Sequence, residues 1–190
     1  FGSIPAGPTM AQPKVDVAKR DADTREVMTD KVPQARIYRA WNVAQVGTTD
    51  IDQLQLLGQI LGGAKSSRLS QRLQHQDKLV DNISAGAYGS QLGSNFMVMA
   101  TVKQGQDPAQ VEKIIDEEIE RLLKDGPTAD ELSRAKTGFR AGFIRGIERI
   151  GGFGGKADAL AECAVYTGDP GCFRTSLANI DKATAADLKR

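Results

Sequence analysis

Apolar residues along this chain fall into two spacings, and the switches between them outline the fold. Ile51, Leu54, Leu56, Leu57, Ile60 and Leu61 recur at helical spacing behind Thr48, Thr49 and Asp50, any of which can act as N-cap, so a helix is predicted over about residues 49–62. Gly62-Gly63 ends it. Ser66 or Ser67 can then cap a second helix that carries Leu69 and Leu73 on one face. Strand-like segments flank this pair. Over residues 35–44, Arg36, Tyr38, Ala40 and Asn42 alternate with Ile37, Arg39, Trp41 and Val43; neither set is wholly apolar, which predicts a partly buried strand. Val27 and Met28 mark a shorter strand before it. Residues 83–89 and 96–102 are rich in small, β-branched and aromatic side chains, and the turn-forming stretch 90–94 between them predicts an antiparallel hairpin.

The second half is helical. Asp107-Pro108-Ala109-Gln110 supplies a cap, a first-turn proline and a capping-box partner, and Val111, Ile114, Ile115, Ile119, Leu122 and Leu123 form one stripe behind it. Gly126-Pro127 stops this helix, and Thr128 with Glu131 forms the box that opens the next, through Leu132, Ala135, Phe139, Phe143 and Ile147. Gly138, Gly142 and Gly146 lie on one face of that helix. The arginines and lysines around them exclude a membrane span, so the spacing predicts close packing on a sheet or another helix. Residues 151–155 hold four glycines and read as a kink or hinge; a helix over 157–166 follows, then two short helices over 171–180 and 184–190, the last capped by Thr184. The order predicts an α+β fold, an antiparallel sheet with helices packed on one face in two layers.

Composition narrows the function classes. The 190 residues carry 25 basic and 24 acidic side chains, a net charge of +1, which gives no electrostatic reason to expect nucleic acid or an anionic membrane as partner. No apolar run approaches the ~20 residues needed for a membrane span. Residues 1–20 contain Pro5, Pro8 and Pro13 with Gly2 and Gly7 and no apolar period, so they read as a linker leading into one domain over 21–190, a piece of a longer protein. Cys163 and Cys172 flank Thr167-Gly168-Asp169-Pro170-Gly171, whose turn chemistry can bring the sulfurs together. A disulfide would place the chain in an oxidising compartment such as a periplasm; two buried thiols are the alternative, and a zinc pair the weakest reading.

Catalytic chemistry is sparse. The single histidine, His75, follows a helix bearing Arg68 and Arg72 and fits a surface imidazole at a helix C-terminus. No serine stands in a Gly-x-Ser-x-Gly elbow, neither cysteine has a basic neighbour in sequence, and no His-x-x-Glu-His or its reverse occurs. Glu117, Glu118 and Glu120 cluster on an amphipathic helix, where a solvated face is expected. Gly62-Gly63 with the serines after it suggests a phosphate cradle, but Lys65 precedes its serines without the second glycine of a P-loop.

One stretch points to a family. Leu61-Gly62-Gly63-Ala64-Lys65-Ser66-Ser67-Arg68-Leu69 resembles the Leu-Gly-Gly-x-x-Ser-Ser-Arg-Leu turn in the second domain of pitrilysin/insulinase-type zinc metallopeptidases, relatives of the mitochondrial processing peptidase. The likeness extends to Phe1-Gly2 and Ile4-Pro5-Ala6-Gly7-Pro8, Arg36-Ile37-Tyr38-Arg39-Ala40-Trp41, Ala100-Thr101-Val102, Gly126-Pro127-Thr128, Glu131-Leu132 and Ala135-Lys136. It implies a bacterial, periplasmic or otherwise exported zinc protease built from two halves of two similar α+β domains. In copies that complete the active site, the turn is followed by an arginine, a Gly-Leu pair and, seven residues after the arginine, a tyrosine. That arginine and tyrosine bind the substrate backbone and stabilise the oxyanion. Here Gln74, Lys78-Leu79 and Asp81 stand at these positions and supply neither a cationic nor a phenolic donor. The resemblance therefore implies a non-catalytic domain without a cofactor of its own, lining a chamber for peptides or unfolded polypeptides beside a homologous catalytic domain that holds the zinc. The alternative is a domain of an inactive scaffold subunit paired with a separate catalytic chain.

Overall fold

The computed structural model describes residues 2–8, 11, 13 and 15–189; Phe1, Thr9, Met10, Gln12 and Lys14 of the expected linker, and Arg190, lie outside the described residues. Strand β1, Arg36–Val43, pairs antiparallel with β3, Ser94–Val102, which pairs antiparallel with β2, Val80–Tyr88, giving the order β1-β3-β2. Alternation along β3 sends Phe96, Val98, Ala100 and Val102 into the core, while Met97, Met99 and Thr101 stand on the opposite face. Helices cover only the inner face. α1, Thr49–Leu61, is capped by the Thr48 hydroxyl and lays Leu56, Ile60 and Leu61 against the sheet residues Ile83, Ala85 and Val98. α2, Pro108–Asp125, adds Val111, Ile114, Ile115 and Leu122. The fold is α+β with helices on one face of the antiparallel sheet, as the pattern predicted.

α3, Ala129–Ile147, opens with the expected reciprocal box: the Glu131 N–H donates to the Thr128 hydroxyl and the Thr128 N–H to the Glu131 carboxylate. α4, Lys156–Thr167, and α5, Cys172–Lys182, form a hairpin joined by a Cys163–Cys172 disulfide, and α6, Ala185–Lys189, ends the described chain. Asn179 on α5 donates to the Asp52 carboxylate on α1 at 2.7 Å. Burial holds that carboxyl above its ordinary pKa range.

Four sequence expectations are corrected. No strand forms at Val27 and Met28, which are 80% and 85% exposed; two apolar residues without alternation define no face to bury, and Arg25 ties this stretch to Glu112 on α2 at 2.7 Å. The helix after the Gly-Gly turn is wide: over Ser70–Gln76 its bonds reach five residues, as from the Asp77 N–H to the Arg72 carbonyl. Its serines do not cap it by side chain, because the Ser67 hydroxyl donates instead to the Ser70 hydroxyl. Glu118 is buried, not solvated, because it falls three and four residues from Ile115 and Leu122 on the apolar stripe, where Arg121 pairs with it. Finally, Gly138 and Gly142 are exposed and a Cβ on either would meet nothing within 4 Å. α3 packs through Leu132, Ala135 and Phe139; of the three glycines only Gly146 is closely approached, by the Gly154 carbonyl at 3.1 Å from an added Cβ.

Candidate functional site

The glycine turn acts first as a packing device. A Cβ at Gly58 would lie 2.7 Å from the Gly86 Cα, and one at Gly62 2.6 Å from the Ala85 nitrogen, so both glycines let α1 approach the β2 backbone more closely than any side chain permits. The turn then delivers Arg68 into the interior. Its side chain is 9% exposed and forms a two-bond fork with Glu131, both contacts at 2.8 Å, while a third bond at 3.0 Å reaches the Gly126 carbonyl. Gly126-Pro127-Thr128 is the break between α2 and α3, so one arginine joins two sequence motifs 58 to 63 residues apart. Hydrogen bonding from Arg68, opposed in part by burial and helped by the Thr128 N–H, lowers the Glu131 carboxyl to about 2. The same pairing raises the pKa of Arg68. Sequence reasoning named both motifs and missed this contact, because an arginine and a glutamate far apart in sequence carry no local signal of pairing.

Immediately beyond, the structure brings Gln74 and Asp81 together. Gln74 Nε2 donates to the Asp81 backbone carbonyl at 2.8 Å, and the Asp81 carboxylate accepts from Gln34 Nε2, which also reaches the Val102 carbonyl. Asp81 sits where β2 slips its register between Val80 and Asn82, the kind of bulge that re-aims a side chain. The outcome is a closed polar cluster: the amide of Gln74 is taken up by backbone and the carboxylate of Asp81 by a neighbouring amide. A negative charge at Asp81 also repels an oxyanion, the opposite of what acyl transfer requires. Between them the chain turns through Lys78, which adopts a φ of +56° in the left-handed region that suits glycine. His75 is exposed on the last turn of the wide helix.

The donor set does not fit zinc. One histidine cannot supply the paired imidazoles of a zinc motif, both cysteines are held in the disulfide, and among the described residues no three His, Cys, Asp or Glu side chains gather closely enough to hold a metal ion. Among the described residues no helix is long and apolar enough to cross a membrane.

Comparison with known proteins agrees with this geometry. A sequence profile described as the peptidase M16 inactive domain matches residues 1–139. No curated protein matches the chain. Solved structures share the fold: a protease from Helicobacter pylori superposes with a TM-score of 0.75 at 22% identity, covering 85% of this chain and 38% of the other. The inactive peptidase domain of a proposed zinc protease from Bordetella parapertussis gives 0.69 at 21% identity, covering 82% of each chain. The periplasmic protease PqqL of Escherichia coli gives 0.61 at 9% identity, covering 84% of this chain and 17% of the other. The chain thus spans well under half the length of the Helicobacter protease.

Proposed function

Since the chain belongs to the peptidase M16 inactive-domain family, we propose that it serves as the non-catalytic, chamber-forming domain of a zinc-dependent metalloendopeptidase that degrades peptides or unfolded polypeptides. Its first 20 residues act as the linker from a preceding domain, and residues 21–190 pack beside the homologous catalytic domain that carries the zinc. The single observation that carries this reading is the Gln34–Asp81–Gln74 cluster: at the positions where an active copy offers open donors to substrate, the side chains here hydrogen-bond within the chain. Residues 163 and 172 joined as a disulfide, together with a periplasmic relative of the same fold, support an exported, periplasmic setting.

Peptide cleavage tests it. The isolated chain incubated with zinc and an unstructured peptide is expected to leave the peptide intact, and turnover abolished by a chelator would overturn the non-catalytic assignment. The parent protein is expected to show chelator-sensitive cleavage that disappears when residues 21–190 are deleted. Undiminished cleavage after that deletion would overturn the chamber role.

A further inference from the structure

The end of α1, the turn after Gly62-Gly63 and the first half of α3 enclose a cavity of about 80 Å³. By the same measure a single water needs roughly 10–15 Å³, so the space takes a group the size of a carboxylate or a phosphate and no run of peptide. One side is apolar, since Ile60 and Ala135 are buried there. The rest is polar: Gln59 from α1, Ser66 from the turn and Arg134 from α3 line it together. None of these three side chains has a hydrogen bond or ion pair among the described residues.

The Arg68–Glu131 fork gives this cavity its charge. Glu131 also lines it, but both of its oxygens accept from Arg68 and one of them from the Thr128 N–H as well. A carboxylate so paired is neutralised toward an incoming anion and is not left over for Arg134, which forms an ion pair with neither Glu131 nor Asp130, the acidic residues one turn before it. Arg140 on the same helix is by contrast paired, with Asp181. Ser67 lines the cavity too, yet gives its proton to Ser70 at 3.0 Å. The donors left to a ligand are therefore a guanidinium, a hydroxyl and an amide. A guanidinium has no acceptor, and its planar fork matches two oxygens of one carboxylate or phosphate. Gly138 keeps the space open, because a Cβ there would meet nothing within 4 Å and a longer side chain would stand in the cavity it lines.

We infer that this cavity binds a small oxyanion, a carboxylate or a phosphate, with Arg134 as its charged anchor and Ser66 and Gln59 as neutral donors. The inference goes beyond the chamber reading and does not depend on it. Amide chemical shifts of the full chain, titrated with sodium phosphate and with sodium acetate at constant ionic strength, read the occupancy. The expected result is a saturable shift at Ser66, Ser67 and Gly138 with at least one of the two ions and none with sodium chloride. Arg134→Gln removes the charge and is expected to weaken binding at least tenfold. Gly138→Leu keeps every charge but fills the cavity, and is expected to weaken binding as much; it should fold, because leucine favours a helix over glycine. A short peptide with a free C-terminal carboxylate, compared with its amide, separates the sources. Binding of the acid alone identifies a chain terminus as ligand, and binding of the ions with neither peptide identifies a free anion. Equal binding of acid and amide would overturn carboxylate recognition. No saturable shift with either ion, equal shifts with chloride, or shifts that persist undiminished in either variant would overturn the site while leaving the cleavage results and the domain assignment intact.

Discussion

At the scale of single residues, the Arg68–Glu131 fork is the most consequential contact in the chain. Glu131 is held at about 2 in the folded state against an ordinary 4.5, so the folded chain binds fewer protons than the unfolded one between these values. Its contribution is therefore complete above pH 4.5 and lost as pH falls through 2. A depression of this size corresponds to about 3 kcal/mol, and at 17% side-chain exposure solvent screens it only partly. Glu131→Gln is expected to lower unfolding free energy by about 2–3 kcal/mol at pH 7, with the difference from wild type shrinking by more than half at pH 3. Urea melts at the two pH values check this, and an equal deficit at both would show that the ion pair is not the source. Both motifs were legible in the sequence, as a Ser-Ser-Arg-Leu turn and as a capping box. Their union was not, since Glu131 reads locally as a box residue with no further task.

Among the elements, helix and strand existence followed closely from periodicity, and the discrepancies have physical causes. Period 3.6 located α1 and α2, caps located the start of α3, and strand-type residues on either side of a turn stretch located the hairpin. The wide helix after the turn escaped notice because five-residue hydrogen bonding leaves the same apolar spacing at Leu69 and Leu73 as an ordinary helix. Its exit through Lys78 at φ +56° costs about 1 kcal/mol for a residue with a Cβ. Lys78→Gly is accordingly expected to stabilise the chain by about 0.5 kcal/mol once the greater freedom of glycine in the unfolded chain is subtracted. Lys78→Ala, which keeps the strain, is expected to leave stability unchanged in the same denaturant titration, and equal effects of the two would refute the account. The three-glycine face shows the opposite failure: spacing suggested close packing, but among the described residues no neighbour comes within 4 Å of a Cβ placed at Gly138 or Gly142.

Across the whole molecule, stability is unevenly spread. The sheet, α1 and α2 share a dense core, whereas α4 buries only Cys163 and α5 only Ile180. Such a hairpin depends on its cross-link. Closing a loop of about ten residues limits the unfolded chain by about 2.5 kcal/mol. Reduction, or Cys163→Ser with Cys172→Ser, is expected to cost that amount and to speed hydrogen exchange in α4 and α5 before the sheet. Two titratable thiols in the unreduced denatured chain would contradict the bond and weaken the periplasmic placement. Sequence by itself determined the α+β class, the run of elements from Arg36 onward and the family likeness, because periodicity, capping and motif spacing are local properties of a chain. Tertiary structure alone decided that Arg68 meets Glu131, that Gln74 and Asp81 close on each other, and that one sheet face stays bare. Those facts depend on which distant surfaces share the core, and no spacing along the chain encodes that.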